Sequence, residues 1–146
     1  MMHTRRATII LCAVAALACV LAGCGPKERY PVRFDGLYLS DAASAGSTTY
    51  RRYLRFTEQG SVLSVSSSEP PTVVAAWLQA PYENRGEWRL EENVLRFSCK
   101  GPNGVVDYEG EVLRDGLLLR VHSRINDTRS ERRYAFFELG VEDPGP

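Results

Sequence analysis

Polar and apolar residues alternate with a period of two along most of the chain; for example, Leu54 and Phe56 alternate with Tyr53 and Arg55. A period of two is that of a β-strand, whose successive side chains point to opposite faces. These segments are also rich in β-branched and aromatic residues, which favour strands. The pattern predicts eight strands, over residues 34–40, 50–57, 61–67, 85–90, 94–100, 105–113, 117–125 and 131–139.

Short polar breaks separate several of the predicted strands. The breaks at 58–60, 91–93, 101–104 and 114–116 each contain Gly or Asn, residues that tolerate a positive φ. Breaks this short cannot carry a crossover, so the strands that they join must be antiparallel. In the last break we expect Gly116 to adopt a positive φ.

One segment departs from the strand rhythm. Val73, Val74, Trp77 and Leu78 follow two prolines at a spacing that places them on one face of a helix. We therefore predict a short helix over 72–79, between the third and fourth strands, with Trp77 on the face that covers the sheet.

An all-β chain of eight antiparallel strands with one short helix predicts an up-and-down barrel, because closure removes the exposed sheet edges. A two-sheet β-sandwich of the same strands is the alternative. A barrel of about eight strands is wide enough either for packed side chains or for one small ligand. The pattern leaves both kinds of interior open.

The first 24 residues are arranged like a secretory signal peptide. Arg5 and Arg6 precede an apolar run over residues 7–20, and Leu-Ala-Gly-Cys follows, ending at Cys24. This order resembles the lipobox of bacterial lipoproteins. The predicted organisation is a signal peptide over 1–23, a lipidated tether over 24–33, a barrel domain over 34–140 and a flexible tail over 141–146.

The lipobox resemblance implies that Cys24 carries acyl chains such as palmitate and becomes the first residue of the mature protein. Two or three buried chains anchor a protein durably in a membrane. In such lipoproteins an Asp after the cysteine favours the inner membrane, whereas Gly25 stands here. We therefore expect a lipoprotein of the bacterial envelope, at the periplasmic face of the outer membrane rather than the inner membrane.

The charge and cysteine content limit the kinds of partner and cross-link that we expect. The full chain has 18 basic and 18 acidic residues, and removal of the leader takes away two arginines. No strongly basic field remains, so we expect no nucleic-acid partner. After processing, Cys99 is the one thiol left, so no internal disulfide can form; its strand position predicts a small buried side chain.

A second resemblance concerns the domain itself. The motif Asp-Gly-Leu-Tyr at 35–38, followed by a meander of strands, resembles calycin or lipocalin-like barrels, although their Gly-x-Trp ends here in Tyr38. Members of these families often pack an arginine from the end of the barrel on that aromatic ring. The resemblance implies this role for Arg132 or Arg133.

Catalytic and metal motifs are absent from the sequence. His122 is the single histidine after processing, and Cys99 with His122 is the one catalytic pair that can be named. Asp107 and Glu109 share one strand face with Glu111, where we expect water and nearby arginines rather than calcium. We expect no enzyme activity, no cofactor and no metal site.

Two functional hypotheses remain. The first is a binding module for a small apolar ligand, or an accessory part of an envelope assembly. The second is a protein–protein module that inhibits or docks an envelope enzyme. It is suggested by the small residues before Tyr50, which resemble the inhibitory loop of lysozyme-inhibitor lipoproteins. Because Thr49 stands where that loop has Lys, the alternative that this segment is a flexible connector is favoured. The candidate ligand-lining residues are Tyr38, Phe56, Trp77, Trp88, Phe97, Tyr108 and Phe136, and the candidate partner-loop residues are Ser44, Ser47 and Tyr50.

Overall fold

A computed structural model describes residues 27–140. The predicted leader, Cys24 and the predicted tail over 141–146 lie outside this range. No helix within it is long and apolar enough to cross a membrane. The elements are β1 Gly36–Ser40, β2 Ala43–Ala45, β3 Thr48–Phe56, β4 Ser61–Ser67, α1 Pro71–Trp77, β5 Arg85–Glu91, β6 Val94–Gly101, β7 Gly104–Leu113, β8 Gly116–Ser123 and β9 Thr128–Glu138.

The sheet closes on itself through β1. This strand pairs antiparallel with the last strand, from Gly36 opposite Glu138 to Ser40 opposite Tyr134, and it also pairs with β3 at Tyr38. From β3 to β9 each strand pairs with the next in the chain, whereas β2 pairs with β3 only. The prediction of an eight-stranded antiparallel up-and-down barrel with one short helix is confirmed, and the sandwich alternative is excluded.

Aromatic side chains fill one half of the barrel interior. The rings of Tyr38 and Phe56 meet edge to face with centroids 5.5 Å apart, and Phe56 meets Phe97 in the same way at 5.3 Å. Phe97 in turn stacks on Tyr108 at 4.5 Å. Such contacts add to the free energy gained by burying the rings, so this half of the interior is a packed core.

The helix covers the outer face of the barrel. Val74 and Leu78 are fully buried there against Leu37 and Leu63. Arg55 on β3 donates hydrogen bonds to the carbonyl oxygens of the last turn, at 2.9 and 3.1 Å. These carbonyls have no partners within the helix, so Arg55 stabilises its end on the sheet.

The segment before β1 closes one end of the barrel. Val32 is buried and Tyr30 packs against the same core. The backbone N–H of Arg33 donates to the hydroxyl of Tyr38 at 2.8 Å, and its guanidinium lies 4.0 Å from the ring centre of Phe136. The domain therefore begins before residue 34, and the predicted tether over 24–33 is too long at its end. We call this end of the barrel, covered by residues 30–34, the closed end.

The arginine that stacks on the aromatic cluster comes from the start of the domain. Arg133, expected from the family resemblance, instead faces outwards and pairs with Asp115 at 2.9 Å. Arg132 faces the interior, because it shares the alternation of the buried Tyr134. Among the described residues neither Arg132 nor Arg133 stacks on Tyr38; Arg33 stacks instead on Phe136, whose ring meets that of Tyr38 at 4.9 Å.

Gly116 occupies a close backbone approach instead of a strained turn. Its φ lies outside the left-handed region, unlike that of Asn93 (74°) or Gly60 (88°) in the neighbouring breaks. A Cβ at Gly116 would lie 1.9 Å from the carbonyl oxygen of Tyr134. The predicted positive φ is wrong, and the reason for glycine is the space between β8 and β9.

Replacing Gly116 by Val should lower the free energy of unfolding by about 2 kcal/mol, because the backbone of β9 must move aside. Urea denaturation measures this. Gly46 offers the matched control: its φ is 61° and nothing lies near it, so Gly46→Asn should stay within about 0.5 kcal/mol of the original protein. Equal stability of the Gly116→Val protein would show that β9 does not pass as closely as described.

Candidate functional site

The interior becomes more polar away from the closed end. We call the opposite end of the barrel the open end. Arg52 follows the inward alternation of Leu54 on β3, and Arg132 follows that of Tyr134 on β9. A recess of about 650 Å³ lies at this end. Its lining comprises Ala45, Thr48, Tyr50, Arg52, Ser66, Ser67, Ser68 and Glu69.

Arg52 is held in the wall of this recess. Its backbone N–H donates to Ser40 Oγ at 3.0 Å, and its Nη2 donates to Tyr50 Oη at 3.0 Å. The guanidinium carbon is 5.1 Å from the ring centre of Tyr50. The side chain is half-buried, so it keeps access to solvent and to any molecule in the recess.

Tyr134 faces the interior from β9 and is fully buried. Its hydroxyl makes no hydrogen bond of good geometry within the described residues. Burial raises the pKa of this phenol, while the nearby guanidinium groups of Arg132 and Arg52 act in the opposite direction. A buried hydroxyl without a partner is rare in folded proteins, so this group is a candidate ligand contact.

Two further interior groups, Tyr108 and Cys99, lie near Tyr134 and are uncharged at neutral pH. Burial raises the pKa of Tyr108, with Ser64 acting in the opposite direction. Burial also raises the pKa of the Cys99 thiol to about 12. Cys99 is therefore a buried neutral thiol, as its strand position predicted, and lacks the lowered pKa of a reactive cysteine.

The Cys99 thiol should make the fold sensitive to alkali. The thiol keeps its proton in the folded state, whereas the unfolded thiol loses it above its ordinary pKa of 9.0. Stability is thus complete below pH 9 and decreases as the pH rises, by about 1 kcal/mol between pH 9 and 10. Chemical denaturation at both pH values measures the decrease.

Cys99→Ala is the control for this pH effect. Its overall stability should be lower because a side chain is shortened in the core, but its decrease between pH 9 and 10 should be about 1 kcal/mol smaller. The decrease that remains belongs to buried tyrosines such as Tyr108 and Tyr134, whose pKa burial also raises. An unchanged decrease in the variant would assign the effect to another group.

The outer face carries most of the charge. Side chains of β5 to β9 stand on both sides of an open groove of about 1090 Å³. Arg124 donates to Asp107 at 2.6 Å and holds the pKa of that carboxyl below its usual range; Arg96 does the same for Glu109 at 2.8 Å. Glu111 pairs with Lys27. The carboxylates of β7 are thus paired with basic side chains, as their shared strand face predicted.

The one catalytic pair named from the sequence is not assembled. Cys99 faces the interior from β6, whereas His122 on β8 faces outwards, with Nε2 at 2.7 Å from Asp127 Oδ1 and Nδ1 at 3.9 Å from Asp107 Oδ2. The wall of the barrel separates the thiol from the imidazole. Residues 27–140 contain no group of three acidic, histidine or cysteine side chains placed to hold a metal ion.

Six of the seven candidate ligand-lining residues belong to the interior. Trp77 is the exception: it lies on the helix outside the barrel, 42% exposed, with Tyr82 at 6.0 Å. The helix turns Val74 to the sheet, whereas Trp77 lies at the side of that face. The prediction that Trp77 lines the interior is therefore wrong. The six that contribute to the interior core are Tyr38, Phe56, Trp88, Phe97, Tyr108 and Phe136.

The candidate partner-loop residues lie on a β-hairpin. Ala43 pairs with Tyr50 and Ser44 with Thr49, so the segment is not the flexible connector expected from its small residues. Ser44 and Ser47 are exposed. Tyr50 instead turns towards Arg52 in the recess.

Sequence reasoning missed Arg52, Arg132 and Tyr134 as a group. The available signal was the alternation, which places both arginines on the apolar side of their strands. Charged residues are almost never fully buried without a partner. An arginine on the apolar side of a strand therefore indicates a polar region inside the barrel.

Comparison of the chain with protein-family models, with curated proteins and with solved structures finds no match. The resemblances to bacterial lipoproteins and to lipocalin-like barrels therefore stay predictions from the quoted residues. Function has to be inferred from the geometry of the barrel.

Proposed function

We propose that this chain is a lipid-anchored, non-catalytic binding protein of the bacterial envelope that holds a small, largely apolar ligand in the open half of its barrel. The observation that carries the proposal is the contrast between the two ends. Aromatic rings and residues 30–34 fill the closed end, whereas a recess open to solvent lies at the open end.

The recess has the properties of a ligand site. Its volume of about 650 Å³ falls within the range of small-molecule pockets. Its lining combines Ala45 and the ring of Tyr50 with one charge of each sign, Arg52 and Glu69. Ser66 and Tyr50 supply polar groups at the rim. A lining of this composition suits a small molecule with both apolar and polar parts.

The proposed anchor is Cys24, on the lipobox resemblance. Tyr30, the first residue that packs on the core, follows after a span that reaches about 20 Å when extended. Such a tether would keep the barrel close to the membrane surface, where apolar ligands partition. A ligand carrier in that position would exchange its cargo with the bilayer.

A second candidate function is docking of an envelope protein on the β2–β3 hairpin. Ser44 and Ser47 are exposed there, and within the described residues β2 has a hydrogen-bonded neighbour on one side only. A free strand edge can accept a strand from another protein. This observation favours the hairpin over the paired charges of the outer groove as a partner surface.

Native mass spectrometry tests the ligand proposal. The protein purified from bacterial envelopes should carry an extra mass that is released by harsher desolvation. Ser66→Trp, which fills the recess, should abolish the extra mass, whereas Thr49→Trp on the outer side of β3 should retain it. A bare polypeptide mass in the unmodified protein would contradict the proposal and favour the hairpin function.

Metabolic labelling with palmitate tests the anchor. The unmodified protein should be labelled and fractionate with membranes, whereas Cys24→Ser should lose both properties because no other cysteine occupies the lipobox. Cys99→Ser is the control and should stay labelled. Labelling that persists in the Cys24→Ser protein would overturn the proposed anchor.

A further inference from the structure

The first part of β3 has a hydrogen-bonded neighbour on one edge only. β2 pairs with β3 from Thr48 to Tyr50. On the opposite edge β4 pairs with β3 only from Arg51 onwards, because β4 ends opposite this residue, at Ser67. Within residues 27–140, no strand therefore lies beside residues 48–50 on the β4 side. We call this unpaired edge of β3 the free β3 edge.

The backbone of Thr49 is directed towards the free β3 edge. The N–H of Arg52 points to the other edge, since it donates to Ser40 Oγ on β1 at 3.0 Å. Backbone groups of successive strand residues alternate between the two edges, so Tyr50 points to β2 and Thr49 points away from it. The described residues provide no strand partner there. The N–H and C=O of Thr49 are therefore available to an added strand.

Space lies on both faces of the sheet beside this edge. The recess of about 650 Å³ is on the inward side, to which Arg52 points. A second recess, of about 200 Å³, is on the outward side with Arg51. The two recesses share four lining residues, Tyr50, Ser67, Ser68 and Glu69. Because successive side chains of a strand point to opposite faces, an added strand would direct them into the two recesses alternately.

Each recess holds one arginine that is fixed by uncharged groups. Arg52 Nη2 donates to Tyr50 Oη, and Arg51 Nη1 donates to the carbonyl oxygen of Ser40, both at 3.0 Å. Within residues 27–140, neither guanidinium has a carboxylate within 4 Å. Glu69 lines both recesses, so two arginines and one glutamate leave a net charge of plus one. This charge favours an acidic partner.

We infer that the free β3 edge binds an extended acidic segment of another protein as an added strand. Backbone hydrogen bonds to Thr49 would hold the segment in register. Two consecutive acidic side chains of the segment would point to opposite faces, where Arg51 and Arg52 meet one each. The inference rests on the second candidate function, docking on the β2–β3 hairpin, and assigns the contact to the β3 edge instead of the β2 edge.

Peptide binding to the full chain tests the charge of the partner. Fluorescence anisotropy compares a short, labelled, threonine-rich peptide that contains two consecutive glutamates with the same peptide containing lysines instead. The acidic peptide should bind about tenfold more tightly, because attractive contacts replace repulsive ones. Arg51→Gln and Arg52→Gln should each reduce this preference, and Glu69→Gln should increase it. Arg133→Gln is the control, since Arg133 pairs with Asp115 on the outward side of β9.

Proline substitutions test which edge is used. Thr49→Pro removes the N–H that faces the free β3 edge and costs β3 no bond to a neighbouring strand. The affinity for the acidic peptide should fall at least about fivefold. Ser44→Pro is the matched control, because Ser44 is the register partner of Thr49 and its N–H points to the β2 edge of the same hairpin. This variant should bind the peptide like the unmodified protein.

An N-methylated form of the acidic peptide tests the added strand without changing the protein. Methylation removes the backbone donors of the peptide and keeps its side chains. Binding should be lost, and a folding defect of the Thr49→Pro protein cannot produce this result. Undiminished binding of the methylated peptide would overturn the added strand.

The outcomes distinguish this inference from the proposed functions. Binding that is lost in Ser44→Pro and kept in Thr49→Pro would overturn the free β3 edge and keep docking on the hairpin. Equal binding of the acidic and basic peptides would overturn the acidic partner, and no binding of either would overturn the whole inference. The small ligand is judged separately, because the Thr49→Pro protein should still carry its extra mass in native mass spectrometry.

Discussion

Closure of the sheet through β1 is the constraint on which the rest of the structure depends. This five-residue strand pairs with the last strand on one side and with β3 on the other. The approach is close: a Cβ at Gly36 would lie 2.1 Å from the carbonyl oxygen of Phe137. Without this joint the meander would be an open sheet with two free edges, and no side chain would have a defined interior to face.

Closure of the barrel gives its outer and inner faces different polar side chains. Outside, the acidic residues of β7 find basic partners across neighbouring strands, with Arg124 on Asp107 as the clearest case. Inside, Arg52 and Arg132 share space with buried phenols and a neutral thiol. The same residue type therefore forms ion pairs on the outer face and lies beside uncharged groups on the inner face.

The two ends of the barrel differ for a related reason. At the closed end the chain supplies its own cover, since Val32 is buried and Arg33 bonds to the hydroxyl of Tyr38. At the open end the rim carries small hydroxyl side chains such as Ser66, which cannot fill the width of the barrel. The two ends therefore differ in how they are covered, and β2, which lies outside the ring of eight strands in the described structure, is beside the open end.

Eight of the nine described strands, their antiparallel order and the short helix were predictable from the sequence, because alternation, turn residues and break lengths act locally; β2 was not predicted. The sequence also predicted that Cys99 is buried and that Asp107 faces solvent, since these follow from strand parity alone. Tertiary structure decided the remainder. Trp77 lies outside the barrel, Gly116 is required by the passing backbone of β9, and Arg33 stacks on Phe136. Each of these depends on which distant strands meet when the barrel closes, and contacts between distant segments leave no periodic signal in the sequence.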